Sequence, residues 1–157
     1  MNCASVASSK QRLDNLFELV GELPEEPFEI RAHWAKYLCV LCSGFIETAT
    51  EAILTEYARR HGTPSEVLCY VRHRLQRFNN PKYEELLALL GIFTSAWREG
   101  LERLLGEEHR AAINSIVANR HRIAHGKDVT LSYHDVRGYY QKVLQAVAKL
   151  DRLVLGQ

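Results

Sequence analysis

Apolar residues recur along this chain every three to four positions almost without interruption, and two-residue alternation is confined to a short stretch near "DVTLSY" (128–133). That period belongs to amphipathic helices rather than half-buried strands, so an all-α fold is expected. Leu13, Leu16, Phe17 and Val20 mark a first helix beginning after Ser8 or Ser9, which the glycine and two prolines of "GELPEEP" (21–27) bring to an end. From about Glu29 to His61 the chain has no proline and only Gly44. Over that length Trp34, Leu38, Leu41, Phe45, Ile46, Ile53 and Tyr57 sustain one stripe, which predicts a single long central helix.

"TPSEV" (63–67) offers Thr63 as a cap, Pro64 at the first helical position and Glu66 for a capping box, opening a third helix that runs to about Phe78. "NNP" (79–81) breaks the chain before a fourth helix over Tyr83 to Leu90. Thr94 or Ser95 caps a fifth, carrying Trp97, Leu101, Leu104 and Leu105 and closed by Gly106. A sixth runs from Glu107 to about Ala124, and Ser132 with Asp135 opens a last one through Tyr140, Leu144, Val147, Leu150 and Val154. The expected architecture is an all-α, single-domain bundle of about five to seven helices over residues 1–157, built round one long central helix.

Composition narrows the choice of function. A chain of 157 residues with 46% hydrophobic positions can bury a real core in one domain. Twenty Lys and Arg against 19 Asp and Glu give a net charge of +1, so no global attraction to nucleic acid or membrane exists and any anion site must be a local cluster. "MNCASVASSKQRLDNL" lacks the apolar core of a signal peptide. "YLCVLCSGFI" (37–46) has about half the roughly 20 residues that cross a bilayer. A cytoplasmic protein without membrane attachment is expected. Cys3, Cys39, Cys42 and Cys69 read as reduced thiols. The C-x-x-C of Cys39 and Cys42 lacks the second ligand pair of a zinc site and suits core packing better, so no metal and no cofactor is expected.

The candidate chemistry lies in "NRHRIAHG" (119–126). Basic side chains in a last helical turn followed by glycine are also what an ordinary helix terminus carries, and "ARRHG" (58–62) ends the long helix with nearly the same letters. Spacing alone does not separate the two, because 14 arginines and seven histidines yield roughly 0.6 R-x4-H pairs by chance. Position around the helix does more. His109, Ala112, Ile113, Ile116, Val117, Ile123 and Ala124 form an inward stripe, and Arg120 falls near its centre. A guanidinium cannot shed its proton and is costly to bury unpaired. Arg120 is therefore expected to face a buried carboxylate, a subunit interface or a ligand phosphate. His121 and His125 add groups that titrate near neutrality.

These residues carry a resemblance. "RHRIAHG" resembles the R-x4-6-H signature of the HEPN superfamily of all-α proteins. "YLCVLCSGFIE", "RFNNP" and "SIVANRHRIAHG", in this order and at these separations, resemble its RiboL-PSP-HEPN branch over about residues 31–140. The resemblance implies a metal-independent endoribonuclease of toxin, phage-defence or stress type, working as a homodimer in which the R-x4-H segments of two protomers face one cleft. Arg120 and His125 would be the catalytic pair. His121 stands where the family usually has another polar residue, often Asn or Asp. Lys127 stands where some members carry tyrosine.

The chemistry fits those residue types. RNA brings its own 2′-hydroxyl nucleophile, so cleavage needs a base, a cation for the phosphate oxygens and an acid for the leaving oxygen. His125 suits base or acid, Arg120 suits a bidentate clamp, and the expected ends are a 2′,3′-cyclic phosphate and a 5′-hydroxyl. Asn119, Arg122 and Lys127 are candidate substrate contacts beside them. Arg72 and Arg74 of "RHRLQR" (72–77) would hold RNA backbone if that run lies near the cleft, and form a solvated helix face otherwise. Glu47 would pair with Arg120 or steer His125, or make an exposed ion pair. Tyr139 and Tyr140 suit core packing better than base stacking. The expected partners are RNA, a second copy of the chain and an antitoxin or regulatory protein. Two other readings stay open: a non-catalytic HEPN dimer that binds RNA, nucleotide or protein, and a helical adaptor with no nucleic-acid role.

Overall fold

A computed structural model describes residues 1–24 and 27–156. Among them are seven α-helices and no strand: α1 (Ala4–Gly21), α2 (Phe28–Arg60), α3 (Ser65–Leu75), α4 (Tyr83–Phe93), α5 (Ser95–Leu104), α6 (Glu107–Ala124) and α7 (Tyr133–Leu155). The all-α expectation holds. α2 is the axis, with α1, α3, α6 and α7 packed on it, α5 packed on α7, and α4 held by α5 and α6. Leu38, Ile53 and Leu54 of α2, Ile113 and Ile116 of α6 and Leu150 of α7 are removed from solvent in one core. Each such side chain contributes roughly 1.5–3 kcal/mol relative to exposure.

By length and composition α2 is apolar enough to cross a bilayer, with a mean hydropathy of 1.4 over its most apolar stretch. In the bundle 56% of that stretch is buried against other helices. Cys39 and Cys42 lie in this buried face. Burial pushes the Cys39 thiol up to about 12 and Cys42 well above its ordinary value. Both are free thiols, and Cys39 Sγ donates to the Ile116 carbonyl at 3.6 Å, tying α2 to α6.

Several element ends differ from the local sequence signals, each for a physical reason. α1 begins at Ala4, well before Ser8, because its cap comes from the other end of the chain. The Asp151 carboxylate of α7, 1% exposed, accepts the backbone N–H groups of Asn2 and Cys3. With Cys3 and Val6 buried beneath it, the first turn is fixed by tertiary contact. The break after α1 includes Glu25 and Glu26, which lie outside the described residues.

α3 starts at Ser65, with Pro64 as its N-cap and no side-chain cap bond, so Thr63 does not serve as the cap. Thr63 is engaged in closing α2, its N–H donating to the Ala58 carbonyl at 3.2 Å. α3 also stops at Leu75, three residues short of Phe78, where two i→i+3 bonds tighten the chain into a turn. Gly106 does not close α5. It has extended backbone and stands as the N-cap of α6, donating its N–H to Nδ1 of buried His109 at 3.2 Å. Burial, and then Lys149 beside it, hold His109 below its usual pKa, so the ring stays a neutral acceptor.

The alternation in 128–133 falls in the loop before α7 and on its first residue rather than in a strand. Val129, Leu131 and Tyr133 point into the core while Thr130 is exposed, and the Tyr133 hydroxyl donates to the Phe17 carbonyl at 2.6 Å. Tyr140 is core, stacked on Phe17 with ring centroids 4.4 Å apart, its hydroxyl donating to Asp14. Tyr139 packs, partly buried, against the same cluster.

Candidate active site

α6 ends in a Schellman motif. Gly126, at φ +65°, donates its N–H to the Ile123 carbonyl at 3.1 Å, and Lys127 donates to Arg122 at 2.9 Å, leaving His125 as the C-cap. α2 ends in the same way. Gly62, at φ +68°, donates to Arg59, Thr63 donates to Ala58, and His61 is the C-cap. In backbone terms "NRHRIAHG" and "ARRHG" are therefore equivalent. An added Cβ at either glycine meets no atom within 4 Å, so Gly62→Ala and Gly126→Ala are each expected to cost only left-handed strain, about 1–2 kcal/mol. Urea unfolding of the two variants reads this directly.

The side chains separate the two ends. At α2, Arg59 and Arg60 both bind Glu56 at 2.8 Å, and Arg60 also donates to the Asn2 carbonyl at 2.9 Å and, more weakly, to that of Leu155. The two arginines hold the Glu56 carboxyl down to about 2. His61 Nδ1 lies 2.8 Å from the Tyr57 carbonyl. These cations serve the fold.

At α6 the balance is reversed. The Arg120 guanidinium makes no hydrogen bond or ion pair among the described residues, and the His121 and His125 side chains hydrogen-bond to no described group. The two imidazoles lie against each other, centroids 4.3 Å apart at 60°. Arg122 is committed, donating to the Asp128 carbonyl at 2.7 Å. Asn119 and Arg120 are half-buried, while His121, Arg122, His125 and Lys127 are exposed. Ala124, placed on the inward stripe by helical spacing, is exposed: the core ends near Val117 and Ile123, so Arg120 occupies the rim of the stripe rather than its dry centre.

α2 forms the adjoining wall. Cys39 lies beneath the α6 backbone between Ile116 and Arg120, and Lys36, one turn earlier, comes within 3.8 Å of Asp128. Lys36 thus faces the acid of the loop that follows the α6 terminus. Its part was not legible, because no sequence spacing shows that α2 and α6 run antiparallel in this register.

Three expected supporting residues are not brought to this place. The Glu47 carboxylate accepts the Asn80 N–H at 2.6 Å, holding a turn in which Asn80 adopts φ +51°. Glu47 therefore pairs with neither Arg120 nor His125 within the protomer. Arg72 pairs with Glu51 at 3.4 Å. Glu51 is twelve residues beyond Cys39 on α2, about 18 Å along the axis. Arg74 lies one half-turn beyond Arg72 on α3 and lines a separate groove.

Arg120 and His125 are themselves five residues apart, about 140° round a helix, so their side chains leave α6 in divergent directions. His121 bridges that angle and touches His125. One protomer thus offers an uncommitted guanidinium and a contacting imidazole pair on neighbouring faces of one helix end. The arrangement can bind an anion and offers imidazole nitrogens as proton donors or acceptors. A protein-family model described as RiboL-PSP-HEPN matches residues 7–156. No curated protein and no solved structure matches the chain.

Proposed function

This chain belongs to the RiboL-PSP-HEPN family, a branch of the HEPN domains, and on that premise we propose that it is a metal-independent endoribonuclease working as a homodimer. The observation that carries the reading is the uncommitted state of Arg120, His121 and His125, in contrast to the end of α2, whose arginines are bound by protein partners. A cation left unpaired at the rim of a core is unfavourable unless something occupies it, and an RNA phosphate supplies the matching bidentate acceptor.

In this mechanism one imidazole, His125, accepts the 2′-hydroxyl proton as that oxygen attacks the adjacent phosphorus. Arg120 balances the charge that grows on the non-bridging oxygens. The P–O5′ bond breaks and a protonated imidazole, His121 or a histidine of the second copy, gives its proton to the leaving oxygen. The products are a 2′,3′-cyclic phosphate and a 5′-hydroxyl. The divergence of Arg120 and His125 is the reason a second copy belongs in the scheme: two-fold pairing brings two guanidinia and four imidazoles to one seam. Asn119 and Lys127 would contact the flanking backbone. The setting would be cytoplasmic, with activity of a toxin or defence kind restrained by an antitoxin or regulatory protein.

RNA with a single 2′-deoxy residue at a mapped cut site is the test. Cleavage should continue elsewhere in EDTA and stop at that position. Cutting at the deoxy position would rule out attack by the 2′-oxygen, and light scattering that finds only monomer at working concentration would remove the composite seam.

A further inference from the structure

Between α3 and α4 lies a cleft of about 540 Å³. α3 packs on α2, and α4 on α5 and α6. No Cα of α3 comes within 8 Å of one of α4. The result is an open trough with helix edges as banks. Tyr70 and Arg74 line it from α3, Leu89, Ile92 and Phe93 from α4, and Arg77 from the turn after α3. Its apolar banks are unusually bare: Ile92 is 81% exposed and Tyr70 64%. Isolated exposed apolar residues need no explanation, whereas an apolar cluster rimmed by charge marks an interaction surface.

The charge on the rim specifies the occupant. Residues 65–82 carry Arg72, Arg74, Arg77 and Lys82 against Glu66 alone. Of these Arg72 is taken by Glu51. Arg74 and Arg77 have no carboxylate partner among the described residues. Arg77 instead donates to His73 at 3.4 Å, one base leaning on another, and no Asp or Glu lines the cleft.

We propose that the α3–α4 trough is a docking site for an acidic amphipathic helix of a partner protein, its apolar face seated between Tyr70 and Ile92 and its carboxylates on Arg74 and Arg77. Helix-in-groove recognition needs a trough of this kind, with apolar anchors at i, i+3, i+4 and i+7, and complementary charge on the rim fixes orientation and excludes wrong partners. Nucleic acid fits less well. The floor is largely aliphatic, Val71, Leu75 and Leu89, and Phe93 already stacks on Trp97, so the free planar faces on which bases stack are few. The proposal does not depend on the RNA-cutting reading of α6.

The experiment is selection of a displayed library of peptides about 16 residues long, enough for an amphipathic helix, on the full-length protein with counter-selection on Ile92→Asp. The expected survivors carry apolar residues at helical spacing flanked by Asp or Glu. They should bind the double variant Arg74→Glu/Arg77→Glu on the order of tenfold or more weakly, and exchange of their carboxylates for lysines should restore that loss. Ile92→Asp should still cut RNA, which keeps this test separate from the α6 assignment. No enriched peptide, or enriched peptides that bind Ile92→Asp as well as wild type, overturns the proposal. So does a labelled single-stranded RNA that Arg74→Glu/Arg77→Glu releases while no peptide is retained, a result that assigns the trough to nucleic acid.

Discussion

Replacing His125 with alanine is expected to lower RNA cleavage about 10²–10⁴-fold, the usual contribution of a positioned acid or base, with little change in unfolding midpoint. The ring is exposed and lies against His121, while Gly126 keeps the helix terminus closed without it. Arg120→Ala should lose about 10²–10³-fold, as removal of one donor to a developing oxyanion does. Arg120→Lys should recover part of this, since it keeps the charge but not the bidentate fork. Arg60→Ala at the sister terminus supplies the contrast. It should leave cleavage unchanged and cost about 1 kcal/mol of stability, because Arg60 binds Glu56 and the Asn2 carbonyl. Cleavage assays and urea melts on the four variants read both axes. If the α6 variants change stability and not cleavage, the α6 end is a structural terminus like that of α2.

Asp151→Ala should be the most destabilising polar substitution away from the site, at about 3 kcal/mol. Its carboxylate is buried and accepts two backbone N–H groups, of Asn2 and Cys3. A hydrogen bond to a charged group contributes about 1.5–3 kcal/mol, and donors left buried without an acceptor carry their desolvation cost. The Asn2 carbonyl also receives Arg60, so loosening the first turn releases a contact to the end of α2 as well. Asp151→Asn keeps one acceptor oxygen and should lose less. Urea denaturation with unchanged m-value reports the difference, and a loss below about 0.5 kcal/mol, the range of ordinary surface changes, would contradict the assignment of Asp151 as the cap of α1.

These two residues show where sequence reasoning reaches and where it stops. The bounds of α6 were legible because Glu107 and Glu108 favour a helix start and Gly126 supplies the left-handed position at its end. The start of α7 was legible because Ser132 and Asp135 make their capping box locally. The start of α1 was not, since its cap is 148 residues away.

The same distinction runs through the site. Helical spacing placed Arg120 on the inward stripe, but where the core stops along that stripe depends on what α2 and α7 cover, and Arg120 proves to be half-buried. Glu47, an acid among apolar neighbours, drew a functional reading, and its partner is the backbone of a turn 33 residues on. The difference between "ARRHG" and "NRHRIAHG" is likewise invisible in the letters. It lies in Glu56, Asn2 and Leu155, which hold Arg59 and Arg60 at one end, and in the lack of such partners for Arg120 among the described residues at the other.

The most direct measurement is digestion of one 3′-labelled RNA by wild-type and His125→Ala protein, side by side in EDTA, with the ends of each product identified. Discrete cuts by the wild type alone, leaving 5′-hydroxyl and 2′,3′-cyclic phosphate ends, are the predicted result. Equal cutting by both proteins, or cuts that require added metal and leave 5′-phosphates, would contradict it.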